Sequence, residues 1–299
     1  MPKRLAVSLA LLVSIAAVSF VVPLGATQGA RAATLAPAVV VMLENEEDVK
    51  FTATNAPYLT SLKSQGRYFS RYYGVAHPSF ANYIALAGGS TFGFTGGTIT
   101  PGMIPGPSLW DQLTTAGLSW GVYEELVPKP CFPNKTKVGT GHSKDKYGIG
   151  HDPGIAFDSV YTSAECQQVL PLTSMPTTLP AVSLVTPSYC DDMHGVRNLT
   201  YPADCQRKSV DVITRSDSWL RDHVEAWRAA GAIVIITFDE GNTDVGTGGH
   251  IYTIEVGAGV STSVEPATYN HYSLLAGLED RFGLARLRNA ANAAPVPIG

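Results

Sequence analysis

The apolar, mostly β-branched run from Ala232 to Phe238 is the feature that most constrains the fold of this chain. Side chains alternate between the two faces of a strand, so a run with so few polar residues indicates a strand buried on both faces. Strands of this kind belong to parallel sheets that carry helices on both sides. Similar runs occupy residues 38–43 and 181–186. Together they predict an α/β fold, because segments with helical patterns separate them.

The remaining patterns supply helices and shorter strands between these runs. Helical patterns cover residues 55–66, 108–117, 210–230 and 270–284, and strand patterns cover 118–124 and 251–256. No internal repeat is evident. The alternation of the two patterns is that of an α/β protein.

Acidic or amide side chains follow the buried runs directly. Glu44 and Asn45 follow the first run, Asp192 lies shortly after the second, and Asp239 and Glu240 follow the third. Open α/β sheets place their ligands beyond the carboxyl ends of the strands. Carboxylates brought together there repel one another unless a cation holds them, so the pattern predicts a divalent metal site. The alternative for the first pair is a solvated acidic loop.

Ser79 lies in a short polar segment that precedes an apolar, helix-like stretch. Pro78 suits the first turn of a helix, which would place Ser79 beside unpaired backbone N–H groups and the positive end of the helix dipole. Such a position favours an anion and makes the hydroxyl a candidate nucleophile for phosphoryl transfer. The alternative is that Ser79 serves only as a helix cap.

The net charge and the amino-terminal segment predict where the protein is located and which partners it can have. Residues 1–32 have basic residues, an apolar stretch and a small-residue cleavage pattern, which predicts a secretory signal peptide, with an uncleaved membrane anchor as the alternative. Residues 33–299 would then form one large domain without a stable membrane anchor. The formal net charge of −4 argues against a nucleic-acid-binding protein.

The four cysteines lie in the predicted exported part, where disulfides persist. Three pairings are open; we favour Cys131 with Cys166 and Cys190 with Cys205, because each closes a loop-rich segment. A cysteine metal site is the alternative, although the spacing contains no C-x-x-C pair. The segment from about 128 to 180 is rich in Pro, Gly and Ser and predicts an inserted, disulfide-pinned lobe. Its lysines, at 129, 135, 137, 144 and 146, would attract an anionic substrate or simply be solvated.

Five segments of the chain together resemble the secreted acid phosphatases of the bacterial phosphoesterase family, which also contains the non-specific phospholipases C. The segments are 39–45, 77–93, 186–194, 236–240 and 271–284. The resemblance implies an alkaline-phosphatase-like three-layer sandwich around a central, mostly parallel sheet. It also implies hydrolysis of a phosphomonoester, including lipid-headgroup phosphates, with one divalent cation as cofactor.

The resemblance carries over to individual residues. It implies that Glu44, Asn45, Ser79, Asp239 and Glu240 surround the cation; Asp192 is a further candidate ligand from its strand-end position. It implies that His77, Asn82, His151 and His194 face the phosphate. Ser79 would attack phosphorus, His194 would protonate the leaving oxygen, His77 would assist, and water would hydrolyse the phosphoserine. His271 is a candidate for substrate contact, with packing at a helix start as the alternative.

Two other functions remain open on the sequence. A phospholipase C-type phosphodiesterase would use the same fold with a pocket that accepts a second ester group. A secreted binding protein would require the loss of a nucleophile or a ligand residue, and none is lost among the residues above.

Overall fold

The computed structural model describes residues 35–133, 136–137, 147–197, 199–207, 209–243 and 247–299, with only the backbone of Thr136 and Lys137. The strands are β1 (Ala38–Leu43), β2 (Arg67–Phe69), β3 (Tyr72–Tyr73), β4 (Thr98–Ile99), β5 (Trp120–Glu124), β6 (Thr136–Lys137), β7 (Val169–Pro171), β8 (Val182–Thr186), β9 (Ile233–Phe238), β10 (Ile254–Gly257), β11 (Ser263–Glu265) and β12 (Tyr269–Asn270). The α-helices are α1 (Pro57–Leu62), α2 (Phe80–Gly88), α3 (Leu109–Thr115), α4 (Pro153–Ala156), α5 (Asp158–Tyr161), α6 (Val210–Ala229) and α7 (His271–Phe282). The predicted signal peptide and the lobe residues Lys135, Lys144 and Lys146 lie outside the described residues.

The main sheet confirms the predicted α/β architecture. Its eight described strands have the order β11-β2-β10-β9-β1-β8-β5-β7. All neighbouring pairs are parallel except those of β10, which runs antiparallel to both β9 and β2. Because β1, β8 and β9 are parallel neighbours, the residues that follow them meet at one edge of the sheet.

Helices cover the sheet in two groups. The strands β1, β5, β8 and β9 are buried along their whole length, which requires cover on both faces. In one group α1 packs with α6, and in the other α2 packs with α3, α4 and α7. Among the described helices, none is long and apolar enough to cross a membrane.

The helix predicted over residues 55–66 is shorter in the structure and spans only Pro57–Leu62. Asn55 lies before it, where its side-chain oxygen accepts a hydrogen bond from the Thr52 N–H at 2.8 Å. The helix start is capped instead by Asp217 of α6, which accepts from the backbone N–H groups of Tyr58 and Leu59 at 2.8 and 2.9 Å. A carboxylate so distant in sequence cannot be anticipated from the local pattern.

Both favoured disulfides are present, Cys131–Cys166 and Cys190–Cys205. The first lies in the segment that we predicted to be an inserted lobe. Within that segment, β7 joins the edge of the main sheet beside β5. The first disulfide therefore ties the loop after β5 to the segment that leads into β7.

Glu279 on α7 gives the stability of the protein a defined pH dependence. Its side chain is fully buried, Oε1 accepts a hydrogen bond from the Leu287 N–H at 2.8 Å, and Oε2 has no hydrogen-bond partner among the described residues. Burial raises the pKa of Glu279 from 4.5 to about 8. Between these values the folded protein holds a proton that the unfolded chain has released, so this contribution to stability is complete below pH 4.5 and is lost as pH rises towards 8.

Glu279→Gln keeps the acceptor for Leu287 and cannot ionise. We expect its stability relative to the native protein to increase with pH across this window, by up to about 1.4 kcal/mol per pH unit. Urea unfolding at several pH values measures the difference. Asp280→Asn is a control of opposite sign at lower pH: Arg286 lowers the pKa of Asp280 below 3.8 by hydrogen bonding, so the stability of this variant relative to the native protein should fall as pH rises to 3.8. A difference between native protein and Glu279→Gln that does not change with pH would contradict the assignment.

Candidate active site

The parallel register of β1 and β9 brings the predicted acidic residues together. Leu43 pairs with Phe238, so Glu44 and Asp239 leave the sheet side by side. The Asn45 N–H donates to Asp239 Oδ1 at 2.8 Å, and the Glu44 N–H donates to the Asp192 carbonyl oxygen at 2.9 Å. Three chain segments thus meet at the carboxyl edge of the sheet, as the strand-end pattern predicts.

Ser79 is the N-cap residue of α2, yet its side chain makes no capping hydrogen bond. Its Oγ donates to Glu44 Oε2 at 3.1 Å and lies 3.4 Å from Glu240 Oε1. The alternative that Ser79 only caps a helix therefore does not describe its contacts. The hydroxyl is directed into the acidic cluster.

Asn45 connects the serine to the carboxylates. Its side-chain nitrogen lies 3.3 Å from Ser79 Oγ, 3.2 Å from Glu240 Oε1 and 3.3 Å from Asp239 Oδ2. The backbone at Asn45 has a φ of 48°, a left-handed conformation that asparagine adopts more readily than most residues. This turn directs the amide back across the strand end, so an asparagine suits the position.

Burial and mutual repulsion destabilise the ionised forms of the cluster. Burial, followed by the charges of Asp239, Asp192 and Glu240, raises the pKa of Glu44 well above its usual range. Burial raises the pKa of Asp239 to about 6, and burial with the charge of Asp239 raises that of Glu240 to about 9. Asp192 is fully buried, and its pKa is raised mainly by burial. Without a cation, part of this cluster would hold protons at neutral pH.

The chemistry of these side chains fits a divalent cation. Within the described ranges, Glu44 Oε1 and Asp192 Oδ2 are buried oxygens without a geometrically acceptable hydrogen bond. Carboxylate, amide and hydroxyl oxygens are the ligands that hard cations take. No group of three or more His, Cys, Asp or Glu residues in the described chain is already arranged around a common point for a metal ion. The Asn45 amide nitrogen instead lies among the oxygens, where its hydrogens offset part of their charge.

Two of the predicted histidines contact the acidic cluster. His151 Nε2 lies 3.2 Å from Glu44 Oε1 and its Nδ1 lies 3.7 Å from Asp192 Oδ2, while the ring stacks on Tyr83 at 5.2 Å between centroids. His77 Nδ1 lies 2.9 Å from Glu240 Oε2, and 35% of its side chain is exposed. His77 is thus the more open of the two, and His151 is enclosed beside the carboxylates.

His194 lies in the loop after β8 and is almost fully buried. Its backbone N–H donates to Asp192 Oδ1 at 2.8 Å, and its Nδ1 lies 2.7 Å from the Gly195 carbonyl oxygen. The loop therefore couples His194 to a candidate ligand through the backbone. The role of His194 as the proton donor stays a prediction.

Asn82 and His271 lie behind the cluster. Asn82 is fully buried; its side chain accepts from the Val75 N–H at 2.8 Å and lies 3.3 Å from Glu240 Oε2. His271 is also fully buried, and its Nε2 lies 2.6 Å from the Asp239 carbonyl oxygen. Burial lowers the pKa of His271 to about 4, so the ring is neutral and Nε2 carries the proton. In the structure both side chains orient the acidic residues, and contact of either with a substrate stays a prediction.

Close backbone packing holds the segment that follows Asp239. A Cβ on Gly74 would lie 2.5 Å from the Gly248 carbonyl oxygen and 3.0 Å from that of Asp239. Only glycine allows such an approach, since real Cβ atoms do not come so close to backbone. The loop before His77 is thereby pressed against the end of β9.

Sequence reasoning assigned no role to Tyr83. It is fully buried on α2, stacks on His151, and has a pKa raised well above its usual range by burial and by the charge of Glu44. The signal was present in the spacing, because residues four apart lie on the same face of a helix and Ser79 precedes Tyr83 by four.

The fold and the site together define an α/β protein whose serine is presented to buried carboxylates and histidines at the carboxyl edge of a mostly parallel sheet. This is the arrangement expected of a phosphoester hydrolase. The model of the Phosphoesterase family matches residues 43–285. The chain belongs to the Phosphoesterase family, which makes it a hydrolase of phosphoric esters and confirms the family predicted from the motifs.

Individual relatives agree with this assignment. The phosphatidylinositol-3-phosphatase of Mycobacterium tuberculosis is 29% identical over 88% of this chain and 82% of its own length. An acid phosphatase of Aspergillus fumigatus is 27% identical over 76% of this chain, which spans only 50% of the length of that relative. A solved structure of an alkaline phosphatase superfamily protein from Vibrio parahaemolyticus has a TM-score of 0.55 at 14% identity, over 88% of this chain and 70% of its own. The structural likeness supports the alkaline-phosphatase-like fold.

Proposed function

We propose that this protein is an exported, metal-dependent acid phosphatase that hydrolyses phosphomonoesters through a phosphoserine. The observation that carries the proposal is the contact of Ser79 Oγ with Glu44 Oε2 at 3.1 Å, within a buried acidic cluster. The names of the mycobacterial and fungal relatives, which are phosphatases, support a monoester substrate. Small phosphomonoesters or lipid-headgroup phosphates are the substrates that we propose.

Ser79 would supply the nucleophile. Ser79 Oγ would pass its proton to Glu44 Oε2, to which it donates at 3.1 Å, as its bond to phosphorus forms; the ester bond from phosphorus to the leaving oxygen breaks, and the leaving oxygen takes up a proton. His194 is the proposed donor of that proton. His77, the more exposed histidine beside Glu240, would assist. Water then attacks the phosphoserine, which releases phosphate and restores the hydroxyl.

The acidic cluster would hold one divalent cation. Its proposed ligands are Glu44, Asn45, Ser79, Asp192, Asp239 and Glu240. When bound, the cation neutralises the carboxylates and stabilises negative charge that develops on the attacking oxygen. The neutral His271 and the Asn82 amide keep the Asp239 backbone and the Glu240 carboxylate in place.

Export rests on the predicted signal peptide and on the two disulfides, which persist in oxidising compartments. Residues 190–205, which the second disulfide closes, begin two residues before Asp192. That disulfide would therefore hold the His194 loop in place outside the cell.

A paired substrate assay tests the function. We expect the purified protein to hydrolyse an aryl phosphomonoester far faster than the matching diester, with turnover that falls as pH rises above the neutral histidine range, because a protonated imidazole must supply the leaving group's proton. Initial rates on both substrates across pH 4 to 9 measure this. Faster turnover of the diester, or an alkaline optimum, would favour the phosphodiesterase alternative.

A further inference from the structure

The loop that carries His194 is held in a small paired structure. Val196 and Gln206 form an isolated parallel bridge, in which the Val196 N–H donates to the Cys205 carbonyl at 2.7 Å and the Arg207 N–H donates to the Val196 carbonyl at 2.9 Å. The Cys190–Cys205 disulfide closes the base of the loop. In a parallel bridge the next residues also lie side by side, so Arg197 is placed beside Arg207.

The two segments of this bridge are in close contact. A Cβ on Gly195 would lie 2.7 Å from the Arg207 backbone nitrogen, and Gly195 has a φ of 67°. Arg215 on α6 anchors the same loop, since it pairs with Asp191 at 2.7 Å and with Asp204 at 3.2 Å. The backbone of Arg207 therefore packs against Gly195, the residue that follows His194.

Arg207 and Arg197 differ from Arg215 in their partners. In the part of the chain that the structure describes, neither guanidinium takes part in a hydrogen bond or ion pair, whereas Arg215 has two carboxylate partners. Arg207 is half-buried, and Arg197 is exposed. Two adjacent cations repel one another, and an anion bound against them would relieve this repulsion.

Arg207 interacts electrostatically with the acidic cluster. Burial and the charge of Arg197 lower the pKa of Arg207, and the charges of Glu44, Glu46 and Glu240 oppose this. Glu44 and Glu240 follow β1 and β9, and the Arg207 backbone pairs with Val196 in the loop after the parallel strand β8, so Arg207 lies at the same edge of the sheet as Ser79. An anion held by Ser79 would be within the field of Arg207.

We propose that Arg207, assisted by Arg197, forms an anion-binding rim of the active site that recognises the second negative charge of a phosphomonoester. This inference rests on the proposed function and names the residue that makes the site selective. A monoester carries a charge of about −1.5 to −2 at pH 7, whereas a diester carries a single charge, so a cationic rim favours the monoester. The planar guanidinium also matches phosphate oxygens in pairs.

The test compares Arg207→Gln and Arg207→Lys with the native protein at pH 7. We expect Arg207→Gln to lower kcat/KM for the monoester by about ten- to one-hundredfold, largely through KM, and to change diester hydrolysis much less. Arg207→Lys should restore part of the loss because it keeps the charge. Arg221→Gln is the matched control, since it removes an exposed arginine of α6 that pairs only with Asp222 in the described chain.

A second variant separates anion recognition from a structural pairing of Arg207 with Glu46. If Arg207 only balanced Glu46, Glu46→Gln would damage the enzyme in the same way as Arg207→Gln. If Arg207 binds the substrate, Glu46→Gln removes a competing negative charge, and KM for the monoester should stay the same or fall. An increase in KM equal to that of Arg207→Gln would overturn the proposal.

Binding of inorganic phosphate gives a readout that does not depend on turnover. Phosphate should raise the unfolding temperature of the native protein and of Arg221→Gln, and should do so much less for Arg207→Gln. Equal protection of Arg207→Gln overturns the anion rim even if the protein is a phosphatase. A native protein that binds phosphate through Arg207 but hydrolyses no monoester would instead overturn the proposed function alone.

Discussion

Ser79→Ala should leave the protein folded and abolish turnover of a phosphomonoester. Ser79 Oγ is the hydroxyl that contacts both Glu44 and Glu240, and water would have neither its position nor its activation. We expect kcat to fall by about a thousandfold or more, which corresponds to a barrier increase of about 4 kcal/mol. Initial rates under saturating substrate measure the loss.

The folded state of this variant can be checked directly. Ser79 makes no capping hydrogen bond in α2, so its removal should change the unfolding midpoint only slightly. Ser61→Ala, an exposed serine of α1, is the matched control and should keep full activity. Acid quenching of the native enzyme during turnover, followed by peptide mass spectrometry, should find phosphate on Ser79. A folded, fully active Ser79→Ala protein would remove this residue from the mechanism.

Removal of the proposed cation should inactivate and destabilise the protein. Burial is the largest cause that raises the pKa of Glu44, Asp192, Asp239 and Glu240, so ionising the whole cluster without a cation costs free energy. A cation at one hundred times its Kd would stabilise the folded state by about 2.7 kcal/mol. We expect chelation to lower the unfolding temperature and abolish turnover, and one divalent metal to restore both.

The metal content of the purified protein can be measured independently of its activity. The purified protein should contain one divalent cation per chain, and Asp239→Asn should lose it because it removes a charge at the centre of the cluster. Glu124→Gln is the matched control: Glu124 is a buried carboxylate at the end of β5, outside the cluster. Its substitution should leave the metal content unchanged. Full activity in a protein shown to be free of metal would contradict the single-cation site.

Several contacts in the site join residues that are distant in the chain, and these contacts become visible only in the folded structure. His151 lies between Glu44 and Asp192 because residues 149–156 pack against α2. Asn82 contacts Glu240 and the Val75 backbone, and the motif did not predict these contacts. The shortened helix α1 and the placement of Arg207 beside Val196 are further examples. Each depends on a partner more than a hundred residues away or on the course of a loop, and local patterns carry no information about either.

The amino-acid sequence was enough to predict the central strands of the sheet and the edge at which the site lies. The buried runs of β1, β8 and β9 are recognisable because strands covered on both faces must be apolar throughout. Parallel strands bring their carboxyl ends to one edge of the sheet, so the sequence predicts that Glu44 and Asp239 lie close together. The side chains that contact each carboxylate could be identified only from the tertiary structure. These contacts depend on the paths of the loops and on the free energy of burying charge, and both involve residues far apart in the chain.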